Sequence, residues 1–482
     1  MLARWIAIRS EVAITVAIIC IATSAGVLLA GTKYGPLLTL GGLVLLSGIG
    51  FLWWRPILSL YGFVIFWPVY PVLNKLIFGG STVVAYRLWQ EVLIVITLGI
   101  VSVQRLSRRD RPFRPNKLDW SVMMLLLTSV YGSILAGDIN LILYGFHLTY
   151  MPMFMYVLLR FLPINVQEIK NWIITLLVVS LIIGLLGIFF QFTDPLYYYS
   201  IFVSAEDFGV IARLGRWRMS SIFGNPLYFG TLMALSGTLS LALLFRCSRR
   251  FKPVWLGLCA VFAACTWWSI TRGAWAMLIA GTAIIFWGHF RQRFERIGTW
   301  LIGVAMCLVL LAFAVNKFPE HFGYYLSDSS GFLLASRNDQ WIETWRAISE
   351  APLGHGIGVG HAQRRAGSDS SLAIYDGWYL KVAAENGVLG LLTFLSFMAC
   401  AIGTLIKRVQ RAGTADEYWL NLGILGLFVG VSLSAVGSNV WDYYMLPSVL
   451  WTLLGAVVTI GDNQKELQPV AQFHTSDHGV LR

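Results

Sequence analysis

The amino-acid sequence predicts an all-α fold, namely a polytopic bundle of transmembrane helices. Of its 482 residues, 57% are hydrophobic and only 12% are charged, and the mean hydropathy is +0.69. Uncharged apolar runs recur along the chain, and runs of roughly 20 residues are long enough to cross the hydrocarbon core of a bilayer. Lipid offers no partners to backbone N–H and C=O groups, so these runs are expected to be helices. This composition excludes an ordinary water-soluble enzyme.

The apolar runs between turn signals and charges predict about 14 spans, and a twelve-span arrangement is the alternative. The predicted spans lie near residues 12–31, 36–54, 57–74, 88–103, 120–136, 139–159, 171–192, 226–245, 254–269, 274–289, 298–316, 387–406, 418–436 and 443–461. An even number of spans places both termini on the same side of the membrane.

The basic residues are unevenly shared between the two sets of loops, and this bias predicts the orientation. The clusters Arg105–Lys117 and Arg246–Lys252 fall on the same predicted side, together with most basic residues of the short loops. Because Lys and Arg in short loops stay in the cytoplasm, both termini are predicted to be cytoplasmic. The net charge of +12 therefore reports orientation, and no nucleic-acid partner is predicted.

The predicted spans divide the chain into five segments. Residues 1–192 carry N-terminal transmembrane helices, and residues 193–316 carry central helices with arginine-bearing outer loops. Residues 317–386 form a long extracytoplasmic loop, residues 387–461 carry the C-terminal helices, and residues 462–482 form a cytoplasmic tail. Since the spans contain almost no ionisable residues, chemistry is expected in the outer loops and not at a midplane transport site.

Three arginines lie close together in the first long outer segment. Arg213, Arg216 and Arg218 are separated by three and two residues and flank Trp217. Guanidinium groups stay charged and pair with phosphate in fork geometry, so this pattern favours an anionic ligand. Anchoring to ordinary lipid headgroups, with Tyr197–Tyr199 as an aromatic belt, explains the same pattern equally well.

A further arginine, Arg272, lies in the short outer turn Ser269–Ala274. Its place between two spans runs against the inside-positive trend, which suggests an anionic partner on the outer face. The alternative is that its side chain extends to the lipid headgroups.

The long outer loop contains a predicted amphipathic helix and a glycine-rich turn. Trp341 and Trp345 recur at helical spacing, and Glu343 and Glu350 lie on the opposite face, which indicates a helix on the membrane surface. The helix is predicted to stop before Pro352, and Gly354–His361 follows. This segment lacks the lysine of a phosphate-binding P-loop, so a tight structural turn is favoured over a nucleotide site.

Two carboxylates, Asp376 and Glu385, come shortly before the predicted span at residue 387. A carboxylate that faces a group of arginines can accept the proton of an acceptor hydroxyl, although capping of a helix is an alternative role. His355 and His361 are lone histidines in a glycine loop, so no metal site is predicted.

These motifs resemble those of the bacterial O-antigen ligase and polymerase superfamily, which comprises WaaL-type ligases and Wzy-type polymerases. Arg218–Pro226 is similar to the family's arginine followed by Gly/Ser-Xaa-Phe-Xaa-Asn-Pro. Ser269–Ala274 is similar to its Thr-Xaa-Ser-Arg-Gly-Ala turn, with Thr271 in place of the serine. Arg337–Gly387 is similar to its long external loop. The three motifs occur in the family's order and topology.

The resemblance implies an inverting, metal-independent glycosyl transfer, without a cofactor, on the outer face of the cell inner (cytoplasmic) membrane. The implied donor is an oligosaccharide carried on polyprenyl pyrophosphate, and the implied acceptor is a glycan or a lipid-linked glycan. Membrane lipids, a chain-length regulator and a flippase protein are further expected partners.

The resemblance also implies roles for individual residues. The family's pyrophosphate-binding arginines correspond to Arg218 and Arg272, and Asp376 stands where the family has a residue that activates the acceptor. Ligases mostly have His there, so Asp favours a polymerase of O-antigen, capsule or exopolysaccharide over a ligase; a lipid-linked glycan flippase is the least favoured alternative. Asp376, Arg272 and Arg218 are the predicted catalytic residues. The predicted substrate-binding residues are Arg216, Arg337, Tyr379, His355 and Glu385.

Overall fold

A computed structural model describes most of the chain. The described residues are 48–78, 89–107, 113, 115–202, 211–213, 216–293, 331–360, 377–443 and 445–476. They form two compact units. The smaller contains residues up to 64, 89–107 and 161–163, and the larger contains the remainder, including all the described segments of the predicted site.

Nearly all of the described secondary structure is helical, which confirms the predicted all-α class. The helices are α1 (Leu58–Phe78), α2 (Trp89–Ser107), α3 (Lys117–Ala136), α4 (Ile139–Gly145), α5 (Met153–Phe161), α6 (Val166–Phe192), α7 (Pro195–Phe202), α8 (Pro226–Arg246), α9 (Lys252–Trp268), α10 (Arg272–Arg293), α11 (Gly331–Glu350), α12 (Trp378–Gln410), α13 (Ala415–Gly437) and α14 (Met445–Ser476). One small antiparallel ribbon joins β1 (Ala212–Arg213) to β2 (Arg216–Trp217). Shorter helical turns are the π-helix Phe146–Tyr150 and the 3₁₀ turns Ser221–Phe223, Arg249–Phe251 and Val440–Asp442.

Nine helices in the described ranges are long and apolar enough to cross a membrane, and the count is ten if a bent pair forms one span. These helices, together with α1, coincide with eleven of the predicted spans, so hydropathy located them correctly. The predicted spans at 12–31 and 298–316, and most of the one at 36–54, lie outside the described residues. The protein is therefore a polytopic membrane protein, as predicted.

Side-chain caps explain where several of these helices begin. Asn165 and Glu168 form a reciprocal capping box at the start of α6, in which each side chain accepts a hydrogen bond from the other residue's backbone N–H. Asn225 accepts from the N–H of Leu227, and Pro226 takes the first helical position of α8, where a missing N–H costs nothing. The starts of α6 and α8 are thus specified locally.

Two predicted spans differ from the structure in shape. The span predicted at 139–159 is broken, because the helical segments before and after Met151 and Pro152 are bent by 55°. Pro152 has no backbone N–H, and its ring clashes with the carbonyl four residues earlier, which breaks a straight helix. α12 starts at Trp378, before the span predicted at 387, and non-helical Gly387, at φ 70° and ψ −173°, divides it into two helical parts at the predicted span start.

Glycines let the helices behind the site approach closely. A Cβ on Gly430 of α13 would lie 2.5 Å from the carbonyl oxygen of Met277 in α10. A Cβ on Gly281 of α10 would lie 2.7 Å from the side chain of Thr238 in α8. Lipid tails are as apolar as helix surfaces, so close packing through small residues is the main source of helix association. α8, α10 and α13 therefore form a compact scaffold.

The glycine-rich turn after Pro352 is a structural element that packs against α3 and α12. The N–H groups of His355 and Gly356 donate to the carbonyls of Ala384 and Glu385, at 2.9 Å each. The N–H of Ile357 donates to Gly132 O at 3.0 Å. These donors are used within the fold, as expected for a structural turn.

Replacing Gly356 by alanine should destabilise the protein. Gly356 has φ +98°, and a Cβ there would lie 2.4 Å from the backbone N and Cα of Ala136, so both strain and a clash with rigid backbone are expected. We expect a loss of about 2–3 kcal/mol or more, seen as a lower midpoint of thermal unfolding in detergent. Gly403→Ala in α12 is the matched control, because no atom lies within 4 Å of its added Cβ. Equal midpoints for the two variants would contradict this packing.

Candidate functional site

Arg218 is buried and holds the backbone of the second arginine motif. Its side chain follows β2 and is 9% exposed. The guanidinium donates from Nε to Ser269 O at 3.2 Å, and from Nη2 to Ile270 O at 3.2 Å and Thr271 Oγ1 at 3.3 Å. The two sequence-predicted motifs, far apart in the chain, therefore form one assembly.

The turn that Arg218 holds is strained at one residue. Ile270 has φ +51°, a region that β-branched residues rarely adopt. The turn is fixed further by Thr271 Oγ1, which donates to Pro226 O at 3.1 Å, and by Met219 N–H, which donates to Trp268 O at 3.0 Å. Such strain persists only where surrounding contacts over-determine the backbone, and it is frequent at functional sites.

The assembly brings the N-termini of two helices together. Pro226 begins α8 and Arg272 begins α10, and the Thr271 hydroxyl connects them. The N-terminus of a helix carries a partial positive charge and unsatisfied N–H groups, which attract anions. The Arg272 side chain is partly exposed at this place. The geometry thus suits the binding of negative charge.

Tyr199 supports the Arg218 segment from beneath. It is fully buried, its hydroxyl donates to Gln191 Oε1 at 3.0 Å, and it accepts from the N–H of Ser220 at 3.4 Å. Burial raises the pKa of this phenol to about 12, so the hydroxyl stays neutral and can donate at physiological pH. The alternative role in an aromatic belt at the membrane interface is wrong for Tyr199, because this residue is buried. Tyr197 is 60% exposed and can still belong to such a belt.

The third motif meets the second at the C-terminal end of α13. Gly273, next to Arg272, packs so closely that a Cβ would lie 2.6 Å from Ser434 Oγ. A Cβ on Gly377 would lie 3.3 Å from Val436 O and 3.6 Å from Trp341 Nε1 of α11. Gly273 and Gly377 therefore both pack against the C-terminal end of α13.

Three of the predicted site residues are described incompletely or not at all. Asp376 lies outside the described residues. Arg216 is in β2 and Arg337 is in α11, and only their backbones are described. For these residues the sequence-based roles stay predictions.

Two further predicted residues make defined contacts with the protein. The Tyr379 hydroxyl donates to Ser432 O of α13 at 2.9 Å. Nε2 of His355 lies 3.1 Å from Ala347 O of α11. Both contacts connect helices around the third motif, and the predicted roles of these side chains in substrate binding stay predictions.

Glu385 belongs to a buried group of charged residues that the sequence did not predict. Lys381 Nζ lies 2.7 Å from both carboxylate oxygens of Asp442 and 3.8 Å from Glu385 Oε1. All three residues are at most 4% exposed. The N–H of Gly360 also donates to Glu385 Oε1, at 3.4 Å. This lysine joins α12 to the 3₁₀ turn before α14 and neutralises buried carboxylate charge.

A buried amide extends this cluster toward α3. Asn386 Nδ2 donates to the hydroxyl of Tyr150 at 2.8 Å, whereas its Oδ1 has no hydrogen-bond partner among the described residues. Thr149 Oγ1 donates to Asp442 at 3.4 Å. Tyr228 near the start of α8 contacts Tyr443, with ring centroids 4.9 Å apart, so aromatic packing connects this cluster to the Arg218 motif.

The sequence carried one signal for the cluster. Lys381 and Glu385 are four residues apart, a spacing that places two side chains on one face of a helix. Asp442 is distant in sequence, and spacing alone gives no sign of its contact with Lys381. Within the described ranges, no group of three or more His, Cys, Asp or Glu residues is arranged to hold a metal ion.

Comparison with known proteins agrees with the motifs. Residues 257–395 match the model of the O-antigen ligase family. The chain is 22% identical over 308 residues to an O-antigen polymerase of Salmonella muenchen, which covers 61% of this chain and 74% of that relative. It is 24% identical over 358 residues to an O-antigen ligase of Salmonella typhimurium strain LT2, which covers 70% of this chain and 83% of that relative. These matches support the resemblance to the bacterial O-antigen ligase and polymerase superfamily that the three motifs predict.

Proposed function

We propose that this protein is a membrane glycosyltransferase that joins oligosaccharide repeat units carried on polyprenyl pyrophosphate. The active site would face the outside of the inner membrane, and both termini would be cytoplasmic. The observation that supports this most is the assembly of Arg218, the turn before Arg272 and the N-termini of α8 and α10. It concentrates positive charge at one place, as the departure of a pyrophosphate requires.

In the proposed reaction, a hydroxyl of the acceptor glycan attacks the anomeric carbon of the donor sugar. The new bond joins the acceptor oxygen to that carbon, and the bond to the pyrophosphate oxygen breaks on the opposite face, which inverts the configuration. Polyprenyl pyrophosphate leaves with the electron pair, and Asp376 accepts the proton of the acceptor hydroxyl. The donor is already activated, and guanidinium and helix dipoles stabilise the leaving group, so the proposal requires no metal ion or ATP.

Arg218 and Arg272 have different parts in this proposal. Arg218 uses Nε and Nη2 on the turn, so it sets the position of Arg272 and adds positive charge. Arg272, partly exposed at the first position of α10, would contact the pyrophosphate directly. Arg216, Arg337, Tyr379, His355 and Glu385 would line or support the substrate site.

A ligase that transfers a finished glycan to lipid A core or to protein is the second candidate. The matching family carries the description of a ligase, and the Salmonella typhimurium relative is named as one. Asp376, at a position where ligases mostly have His, favours the polymerase. Both candidates use the same donor chemistry and differ in the acceptor.

Replacing Asp376 by asparagine should abolish glycan transfer, because an amide cannot accept the hydroxyl proton. We expect a deletion strain carrying Asp376→Asn to make no glycan polymer, whereas Asp369→Asn, a matched change in the same loop, should restore wild-type chains. Gel analysis of the surface glycan measures this. Wild-type chain lengths in the Asp376→Asn strain would refute the proposed base.

The same deletion strain distinguishes the two candidates. A polymerase deletion should leave single repeat units attached to the final acceptor, whereas a ligase deletion should accumulate full-length polymer on the lipid carrier. A third result, in which lipid-linked single units accumulate on the cytoplasmic face, would contradict both and favour a flippase.

A further inference from the structure

A charged cavity lies at the end of the helix bundle opposite to the arginine turn. The ends of three helices that the sequence assigns to one side of the membrane meet there. They are the start of α6, the end of α8 and the start of α13. Lys170 Nζ lies 2.7 Å from Asp416 Oδ2, and Arg246 Nε donates to Asp416 Oδ1. One carboxylate thus holds two cations of different helices side by side.

The cavity beside these cations has a volume of about 250 Å³. Its polar lining includes Lys170, Arg246 and Ser248, and its apolar lining includes Phe251 and Trp255. The Lys170 side chain is 24% exposed and that of Arg246 is 46% exposed, so both reach the opening. The cavity is large enough for a phosphate group with part of its glycerol.

Both cations carry more donors than Asp416 engages. A lysine ammonium has three N–H donors and an arginine guanidinium has five, and the contacts with Asp416 use one donor of each. Asp416 is the acidic residue of the lining, whereas Arg249, Arg250 and Lys252 follow within six residues of Arg246 and are exposed. The net charge around the cavity is therefore positive.

The apolar rim indicates a lipid as the source of the anion. Phe251 is 54% exposed, Val254 is 60% exposed and Ile174 is 43% exposed, and Phe251 and Ile174 line the cavity itself. Free phosphate gains nothing from such a rim, whereas a phospholipid buries its glycerol and first methylene groups against it. Basic pockets between transmembrane helices at the cytoplasmic face bind anionic headgroups in this way.

We propose that this cavity binds the headgroup phosphate of an anionic phospholipid, with Lys170 and Arg246 on the phosphate and Phe251 and Trp255 against its glycerol. Asp416 is a positioning residue that holds the two cations together. The inference uses residues outside the glycosyl-transfer site and does not depend on the reaction proposed there. It adds a lipid-binding site to the opposite end of the same bundle.

The test uses the full chain purified in detergent, with native mass spectrometry to count retained phosphatidylglycerol after titration. We expect one tightly held lipid in the wild type and roughly 30-fold weaker retention in Lys170→Gln/Arg246→Gln, since each basic residue near a membrane surface contributes about a factor of five. Lys407→Gln, an exposed basic residue at the same end, is the matched control and should bind like the wild type. Equal retention by the double variant would overturn the site.

A cavity-filling variant and a competition experiment test the remaining alternatives. Ser248→Trp fills the cavity without changing charge, and Ser248 makes no side-chain capping bond, so loss of lipid with an unchanged unfolding midpoint is expected. Ser248→Trp still tests the site if the double variant misfolds. Full retention of phosphatidylglycerol by Ser248→Trp would overturn the site. Inorganic phosphate should not compete at millimolar concentration, and phosphatidylcholine should bind weakly. Competition by phosphate would show a free-anion site instead, and equal binding of phosphatidylcholine would refute selection by charge.

Discussion

Arg272→Ala should lower glycan transfer by about 100-fold or more while the protein still folds and inserts. Loss of one preorganised donor to a developing negative charge typically costs this much in a site that excludes water. Arg272 is the first residue of α10 and is partly exposed, and alanine is a strong helix former, so the variant should still fold. The measurement is the rate at which purified protein extends lipid-linked repeat units, read by gel or mass spectrometry.

Arg218→Lys provides the comparison for this prediction. Lysine retains the charge but cannot reach Ser269 O, Ile270 O and Thr271 Oγ1 with one planar group, so the turn should loosen. We expect Arg218→Lys to lose both activity and thermal stability, whereas Arg272→Ala should lose activity alone. Lys407→Ala at the opposite end controls for loss of a positive charge. Normal polymer from the Arg272 variant would remove the central residue of the proposed mechanism.

Much of the helical fold could be predicted because its determinants are local. Runs of apolar residues locate the spans, and caps such as Asn165 with Glu168, or Asn225 with Pro226, locate helix starts. The break at Pro152 was missed because hydropathy averages over a window and carries no information on backbone geometry. The helical part of α12 before Gly387 was missed because Lys381 and Glu385 resemble loop residues until Asp442 is known to lie beside them.

In the candidate site, too, local features could be predicted, whereas contacts between distant segments could not. The arginine motifs could be found from residue type and spacing, since guanidinium chemistry is a property of the single side chain. Their mutual contact depends on how the helices pack. Tyr199 was assigned to the membrane interface because tyrosine is common there, whereas its hydroxyl holds the Ser220 backbone inside the fold. Sequence thus identified chemical groups, and the fold determined which of them support others.

Lys381→Met should cause the largest loss of stability among single substitutions in the cluster around α12. The ammonium contacts both oxygens of Asp442, and both residues are at most 4% exposed. Its removal leaves Asp442 and Glu385 as buried carboxylates without their cation, and breaking a buried pair in this way costs about 3–5 kcal/mol. The midpoint of thermal unfolding in detergent, followed by the fluorescence of a thiol-reactive dye, measures the loss.

The double variant Lys381→Met/Asp442→Asn separates charge from packing. If uncompensated charge causes the loss, neutralising Asp442 should recover part of the stability, because the carboxylate no longer has to be desolvated alone. If loss of the ammonium's contact with the Trp378 ring, whose centroid lies 5.2 Å from Nζ, causes it instead, the double variant should unfold at no higher temperature than the single one. Because Gly377 directly precedes this helix, we expect Lys381→Met to reduce transfer activity even at temperatures where the protein remains folded. Wild-type stability and activity in Lys381→Met would show that Asp442 and Glu385 need no cation, and the cluster would then have no part in holding the third motif at the site.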